Sequence, residues 1–373
     1  MKGIEQPSQV NEEAIRKLHS RKPKSLTVDD FVREIRAGNR TVLSKAITLV
    51  ESSLPAHQEK AQGIIAGCLK QTTNDERRAT NDKSDIRHPA SCILHPASGI
   101  RIGITGVPGV GKSTFIEALG KYLTDKGHKV AVLAIDPSST RTKGSILGDK
   151  TRMEALAVDP NAFIRPSPSA GSLGGVARKT RETILLCEAA GFDIIIVETV
   201  GVGQSETTVH GMVDFFLLLM LAGAGDELQG IKRGIIEMAD AILINKSDGD
   251  NIHKARLAKA EYTNALHLFP PAGSGWFPVV DTCSSRTGEG IEKAWGVISE
   301  YQTFTLQNGY FHQRRRDQNI QVFYDAIEAS LKTDFASRKD ISTLLKKMEN
   351  EIVSGKLNPY TAAKELLEQY FSR

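Results

Sequence analysis

The run Gly106-Val107-Pro108-Gly109-Val110-Gly111-Lys112-Ser113, followed by Thr114, leaves this chain few choices of fold. It has the G-x-x-x-x-G-K-S spacing of a phosphate-binding P-loop. Small residues let successive backbone N–H groups turn inward around a polyphosphate. A lysine at position 112 reaches the β and γ phosphates, and a hydroxyl at position 113 takes a place on Mg²⁺. The helix that opens here turns the positive end of its dipole toward the anion. Such a loop works only between a buried strand and a helix. Ile102 and Ile104 supply the strand, and Phe115, Leu119, Tyr122 and Leu123 fall on one face of the helix. Gly127 is placed to end that helix.

From about residue 100 to 300, apolar runs alternate with helical patterns. Strands are expected at Arg101–Thr105, Lys129–Ile135, Ala162–Arg165, Asp193–Glu198, Phe215–Leu221, Ala241–Asn245 and Pro278–Thr282. They are rich in Ile, Val and Leu with little alternation, as strands buried on both faces must be. The fold class is therefore α/β: a P-loop, doubly wound, mostly parallel sheet with right-handed crossovers. Ligand is expected at the carboxyl ends of its strands.

The rest of the chain frames this domain. Residues 1–26 are polar and expected to be mobile. Residues 27–70 read as an N-terminal helical segment that starts at Thr27, with Phe31, Ile35, Leu43, Ala46, Ile47 and Val50 facing inward. Residues 71–99 read as a polar connector in which His-Pro-Ala-Ser occurs at 88 and again at 95. His88, Cys92 and His95 lack a fourth partner and do not make a metal site. The P-loop domain is expected over 100–306. After it, 307–373 forms a helical arm with helices over Tyr310–Leu331 and Asp340–Val353 and a last helix opened by Asn358-Pro359. The triple arginine 314–316 reads as a solvated face.

A net charge of +4 over 373 residues gives no argument for nucleic acid. The longest apolar run, Phe215 to Ala222, is too short for a membrane span, and the N-terminus has no signal-peptide core. Four cysteines without a C-x-x-C suit a reducing cytoplasm.

Two further stretches carry chemistry. Asn245-Lys246-Ser247-Asp248 closes an apolar strand downstream of the P-loop, where N-K-x-D reads guanine. Asp248 accepts from guanine N1–H and the 2-amino group together, and adenine would leave that carboxylate unpaired. Asn245 can bond both the base edge and the loop, and the Lys246 stem can lie along the ring. Ser284 and Ser285 close another strand, where backbone N–H groups can meet the guanine carbonyl. An ordinary strand-end turn is the competing reading there.

Glu198 ends the run Ile194-Ile195-Ile196-Val197, with Gly201 three residues on. That is the pattern of a Walker-B acid and a γ-phosphate-sensing switch. Glu198 and Gly201 thus join Lys112 as catalytic candidates, and Glu198 joins Ser113 near Mg²⁺. Asp136 and Asp149 are further candidates near the ion, or else helix caps. Val202 follows the switch glycine, and Val cannot orient water, so unaided hydrolysis should be slow.

Together these stretches resemble the MeaB/ArgK family of methylmalonyl-CoA-mutase-associated G-protein chaperones. The matching residues are Gly106–Ser113, Asp136–Ser139, Gly144–Lys150, Glu198–Glu206, Gly223–Lys232 and Asn245–Asp248. The resemblance spans about 27–373, with the connector as an insertion. It implies a GTPase using GTP, GDP and Mg²⁺ that binds an adenosylcobalamin-dependent acyl-CoA mutase. It also implies gated cofactor delivery, protection of the mutase, a homodimer held by the C-terminal helices, and an extra switch over Leu221–Lys232. Two rival readings are a kinase or ATPase of an arginine/ornithine (LAO/AO) transport system and a nickel-delivery GTPase. The first needs a phosphoacceptor site that is not visible. The second needs Cys/His motifs where this chain has Arg165-Pro166-Ser167-Pro168-Ser169.

Overall fold

The computed structural model describes residues 26–79, 99–136, 153–168, 173–199, 205–223, 233–270 and 272–372. Seven strands form one sheet: β1 (Ile100–Gly106), β2 (Val130–Asp136), β3 (Ala162–Pro168), β4 (Ile194–Glu198), β5 (Phe215–Leu221), β6 (Ala241–Asn245) and β7 (Val279–Thr282). Their order is β3-β2-β4-β1-β5-β6-β7, and every pairing is parallel. The sheet is thus wholly parallel. All seven strands lie where the apolar runs predicted them, because strands covered on both faces must be apolar at nearly every position.

Alternate residues divide between two cores. In β4, Ile194 and Ile196 face one side while Ile195 and Val197 face the other. The first side packs against α4 (Lys112–Asp125) and α10 (Ile291–Gln307) through Phe115, Ile116, Leu119, Ile298 and Tyr301. On the other side lie α6 (Leu173–Ala189) and the N-terminal helices α1 (Val28–Arg36), α2 (Arg40–Glu51) and α3 (Pro55–Ala79). The same face, farther along the sheet, is covered by α8 (Arg233–Met238) and α9 (Ile252–Leu266). The helix α5 (Glu154–Ala157) packs under α4, where Leu156 meets Gly120.

The start of α1 is a capping box. The Asp30 N–H donates to Thr27 Oγ1 at 3.2 Å, and the Thr27 N–H donates to Asp30 Oδ2 at 3.1 Å. Phe31, Ile35, Leu43, Ile47 and Ile64 share one continuous core with the sheet residues Leu133 and Val197. Helix α3 continues to Ala79, past the expected boundary at 70. Polarity had suggested a connector there, but polarity alone does not end a helix. The stretch contains Glu and Arg, which favour helix, and no Pro or Gly. The repeated His-Pro-Ala-Ser and the candidates His88, Cys92 and His95 lie outside the described residues.

Beyond the sheet, α11 (Tyr310–Ser337), α12 (Lys339–Val353) and α13 (Pro359–Phe371) form the arm. Asn358 caps α13 by accepting the Tyr360 N–H at 2.9 Å, with proline at the first helical position. Ile341, Met348, Ala362 and Leu366 make a small core of their own. The triple arginine is not one solvated face. Arg315 Nη2 donates to the buried Asp214 Oδ2 at 2.6 Å, and Arg314 Nε donates to Val213 O at 3.1 Å. Only Arg316 is exposed, where it donates to Gln313 Oε1. Partners a hundred residues away decide this, and a charge run does not disclose them.

Candidate nucleotide site

The P-loop leaves the central strand and wraps the start of α4. Gly106 has φ +152°, and a Cβ there would lie 2.3 Å from Leu219 O on the neighbouring strand. Only glycine lets β1 and β5 close together at this point. Gly111 has φ +94°, and a Cβ there would lie 3.0 Å from Asn245 Nδ2. Val110 is fully buried, whereas Pro108 and Gly109 are exposed on the rim and Val107 and Ser113 are part-covered. Thr114 is exposed on the first turn of α4.

Lys112 is 9% exposed and curls over the loop. Its Nζ donates to Gly106 O at 2.8 Å and to Val107 O at 3.3 Å. Burial pulls its pKa down, while the charges of Glu198 and Glu206 hold it up. An anion entering the loop would offer this ammonium better acceptors than two neutral carbonyls.

Ser113 Oγ donates to Glu198 Oε1 at 3.1 Å. A hydroxyl on α4 and a carboxylate at the end of β4 therefore converge beside the loop. This hard-oxygen pair fits Mg²⁺, which often takes only one or two protein carboxylates and completes its shell with water and phosphate. Among the described residues, no group of three or more His, Cys, Asp or Glu gathers as a metal cluster. Asp136 is the last residue of β2, so its backbone ends at the same edge of the sheet, but its side chain lies outside the described set. Asp149, Gly201, Val202 and most of 223–232 also lie outside it. The root of the switch stretch is fixed by Thr199. Its N–H donates to Ile104 O at 3.0 Å and its hydroxyl donates to Thr105 Oγ1 at 2.9 Å.

Across the mouth stands the N-K-x-D loop. Asn245 is 1% exposed, and its amide is a strut. Nδ2 donates to Val110 O at 2.9 Å, while Oδ1 accepts the Ser285 N–H at 3.1 Å and the Ser285 hydroxyl at 2.8 Å. Lys246 takes φ +58°, rare for a residue with a side chain, and its Nζ donates to Gly109 O at 2.8 Å. Asp248 accepts a short hydrogen bond from Ser284 Oγ. One carboxylate oxygen is thereby oriented and the other left for a ligand.

The expectation for Ser284 needs correction. Its N–H donates to Glu289 O at 2.9 Å, so it is not offered to a base. Ser284 acts through its hydroxyl, which orients Asp248. The Asn245 amide ties the P-loop to Ser285 and uses one of its two amide hydrogens to do so. Glu206 had no role assigned from sequence, yet it is 2% exposed and its charge reaches Lys112. Its place two residues past Gln204 was visible, but its burial was not.

A wholly parallel sheet with a P-loop after its central strand defines a P-loop nucleoside triphosphatase. The chain matches the family described as methylmalonyl Co-A mutase-associated GTPase MeaB over residues 89–340. It belongs to that family and is a P-loop GTPase. It is 46% identical to a probable GTPase of Mycobacterium tuberculosis over 342 residues, covering 92% of this chain and 95% of the relative. It is 45% identical to the mitochondrial methylmalonic aciduria type A homolog of Mus musculus, over 93% of this chain and 80% of that protein. A crystal structure titled LAO/AO transport system kinase superposes with a TM-score of 0.69 at 35% identity, covering 93% of this chain and 98% of that one. Among the described residues no helix is long and apolar enough to cross a membrane.

Proposed function

We propose that this chain is a GTP-hydrolysing chaperone of an adenosylcobalamin-dependent acyl-CoA mutase, methylmalonyl-CoA mutase or a close relative. It gates cofactor loading and protects the mutase in the cytoplasm. One observation carries the nucleotide part: Asn245 ties Val110 of the P-loop to Ser285 beside Asp248. Phosphate recognition and base recognition are therefore built as one rigid frame. The family match over 89–340 supports the choice of partner.

In this reading the backbone of 106–113 cradles the phosphates, and Thr114 adds to the first helical turn. Lys112 exchanges its two carbonyl partners for the β and γ phosphates. Ser113 and Glu198 would hold Mg²⁺, with Asp136 and Asp149 as further candidates. The ion would supply neutralisation of phosphate charge. Glu198 and Gly201 are the catalytic candidates that sense the γ phosphate. Asp248, oriented by Ser284, selects guanine, and Lys246 shields the ring. The arm helices hold a homodimer.

The test is single-turnover GTP hydrolysis with and without a B12-dependent mutase. We expect a slow basal rate that rises on mutase binding, because groups supplied in trans are worth about 10³–10⁵ in rate. Equal rates in both conditions, with complex formation shown separately, would overturn the proposal.

A further inference from the structure

The short helix α7 (Ser205–His210) lies between the nucleotide site and the arm. Glu206 in its first turn is 2% exposed, and Val209 farther along lies against Gly103 of β1, the strand that runs into the P-loop. The charge of Glu206 also helps hold up the Lys112 pKa. The last carbonyls of α7 have no partner within the helix and need donors from elsewhere. The Gly211 and Met212 N–H groups that follow the helix donate to Thr207 O at 3.1 Å and Val209 O at 3.0 Å, and α11 supplies the donor to His210 O and to the turn beyond it. Arg314 Nη2 donates to His210 O at 3.3 Å, and Arg314 Nε donates to Val213 O at 3.1 Å. Gln318 Nε2 donates to Val213 O at 2.8 Å, and Arg181 Nη2 from α6 donates to Gly211 O at 3.4 Å. Arg181 also donates to Asp325 of α11 at 2.7 Å, so α6 and the arm brace one another beneath α7.

The neighbouring arginines do different work. Arg315 closes a buried charge network with Asp214, which also accepts the Arg101 N–H at 2.9 Å. Arg316 sits in solvent. Arg314 alone of the three bonds the carbonyl end of α7, where a cation also meets the negative end of the helix dipole. The His210 ring does not compete as a second cation. Burial and the charge of Arg314 hold its pKa down at about 4.

We propose that Arg314 is a positioning residue for GTP turnover: it fixes the carbonyl end of α7, and so fixes where that helix presents Glu206 to the P-loop. The proposal rests on GTP hydrolysis at this P-loop. It makes the arm part of the catalytic apparatus without any arm residue touching nucleotide. A partner that pulls on α11 is then felt at Lys112 through one six-residue helix.

The experiment compares Arg314→Met, Arg314→Lys, Arg316→Met and Lys112→Ala in the full chain, reading kcat, KM and GDP affinity. Arg314→Met should lower kcat by about tenfold while GDP affinity changes by less than about twofold, because the phosphate and guanine contacts do not include α7. Arg314→Lys should recover part of the loss, since one charged donor remains at the helix end. Arg316→Met should match wild type. An unchanged kcat in folded Arg314→Met, beside a dead Lys112→Ala, would overturn this inference and leave the P-loop reading intact. A parallel fall in kcat and GDP affinity would mean general loosening and would also overturn it. Wild-type turnover insensitive to Lys112→Ala would overturn the P-loop reading, and this inference with it. Should Arg314→Met fail to fold, hydrogen exchange on the wild-type protein decides. Residues 206–213 and 311–318 should change protection together between GDP and a non-hydrolysable GTP analogue. A change confined to 206–213 would rule the coupling out.

Discussion

Asp248 illustrates how one side chain sets specificity once its neighbours have fixed it. Ser284 orients one oxygen, and the frame through Asn245 fixes the distance from the carboxylate to the P-loop. Asp248→Asn should weaken GTP binding and favour xanthosine triphosphate, whose C2 carbonyl accepts from the new amide. Losing a buried partner of this kind costs up to about 10⁴-fold in discrimination. Titrations with both nucleotides test it, and an unchanged preference for GTP would contradict the assignment. At the opposite edge of the sheet, Asp240 is buried and accepts the Phe216 N–H at 2.8 Å. Burial raises its pKa from the ordinary 3.8 to about 6, against the attraction of Arg314 and with some help from Asp214. A carboxyl raised in the folded state stabilises most when protonated, so its contribution is full below about pH 4 and is lost as pH rises through about 6. Asp240→Asn should therefore add stability above pH 6, by at most about 3 kcal/mol, and little near pH 4. Urea unfolding at pH 4.5 and pH 7.5 measures the difference, and an equal change at both pH values would refute the linkage.

At the scale of the element, α11 has two unlike halves. Its first turns are pinned by Arg314, Arg315 and Gln318. Farther along, Ile320, Phe323, Tyr324, Ile327 and Leu331 form a stripe at helical spacing, each at least 41% exposed. A contiguous apolar stripe of this kind on a folded chain marks an interface. We expect the full chain to be a dimer through this face and Phe323→Asp to make it monomeric with its fold retained. Light scattering at micromolar concentration measures both, and a wild-type monomer would discard the dimer. The stripe could be read directly from the sequence, because helical periodicity is local. That two of the three arginines before it are part-covered and bonded to the sheet domain could not be read. Asp214, the partner of Arg315, is 101 residues earlier in the chain.

For the whole molecule, the sequence by itself determined the sheet, its strands and the two nucleotide motifs. Each is written in short-range signals: near-continuous apolar runs for strands covered on both faces, glycines at positive φ for the P-loop, and N-K-x-D after β6. The helix start at Thr27 and the Asn358-Pro359 start of α13 were legible for the same reason, since caps depend on residues three or four apart. Only the tertiary structure decided what each polar group is spent on. It commits the Ser284 N–H to Glu289, turns the Asn245 amide into a strut between two loops, and buries Glu206 toward Lys112. It also places Arg314 at the end of a helix more than a hundred positions away. The physical reason is range. Periodicity and backbone preference act over a few residues, whereas a buried donor takes whichever acceptor the packed fold brings within about 3 Å.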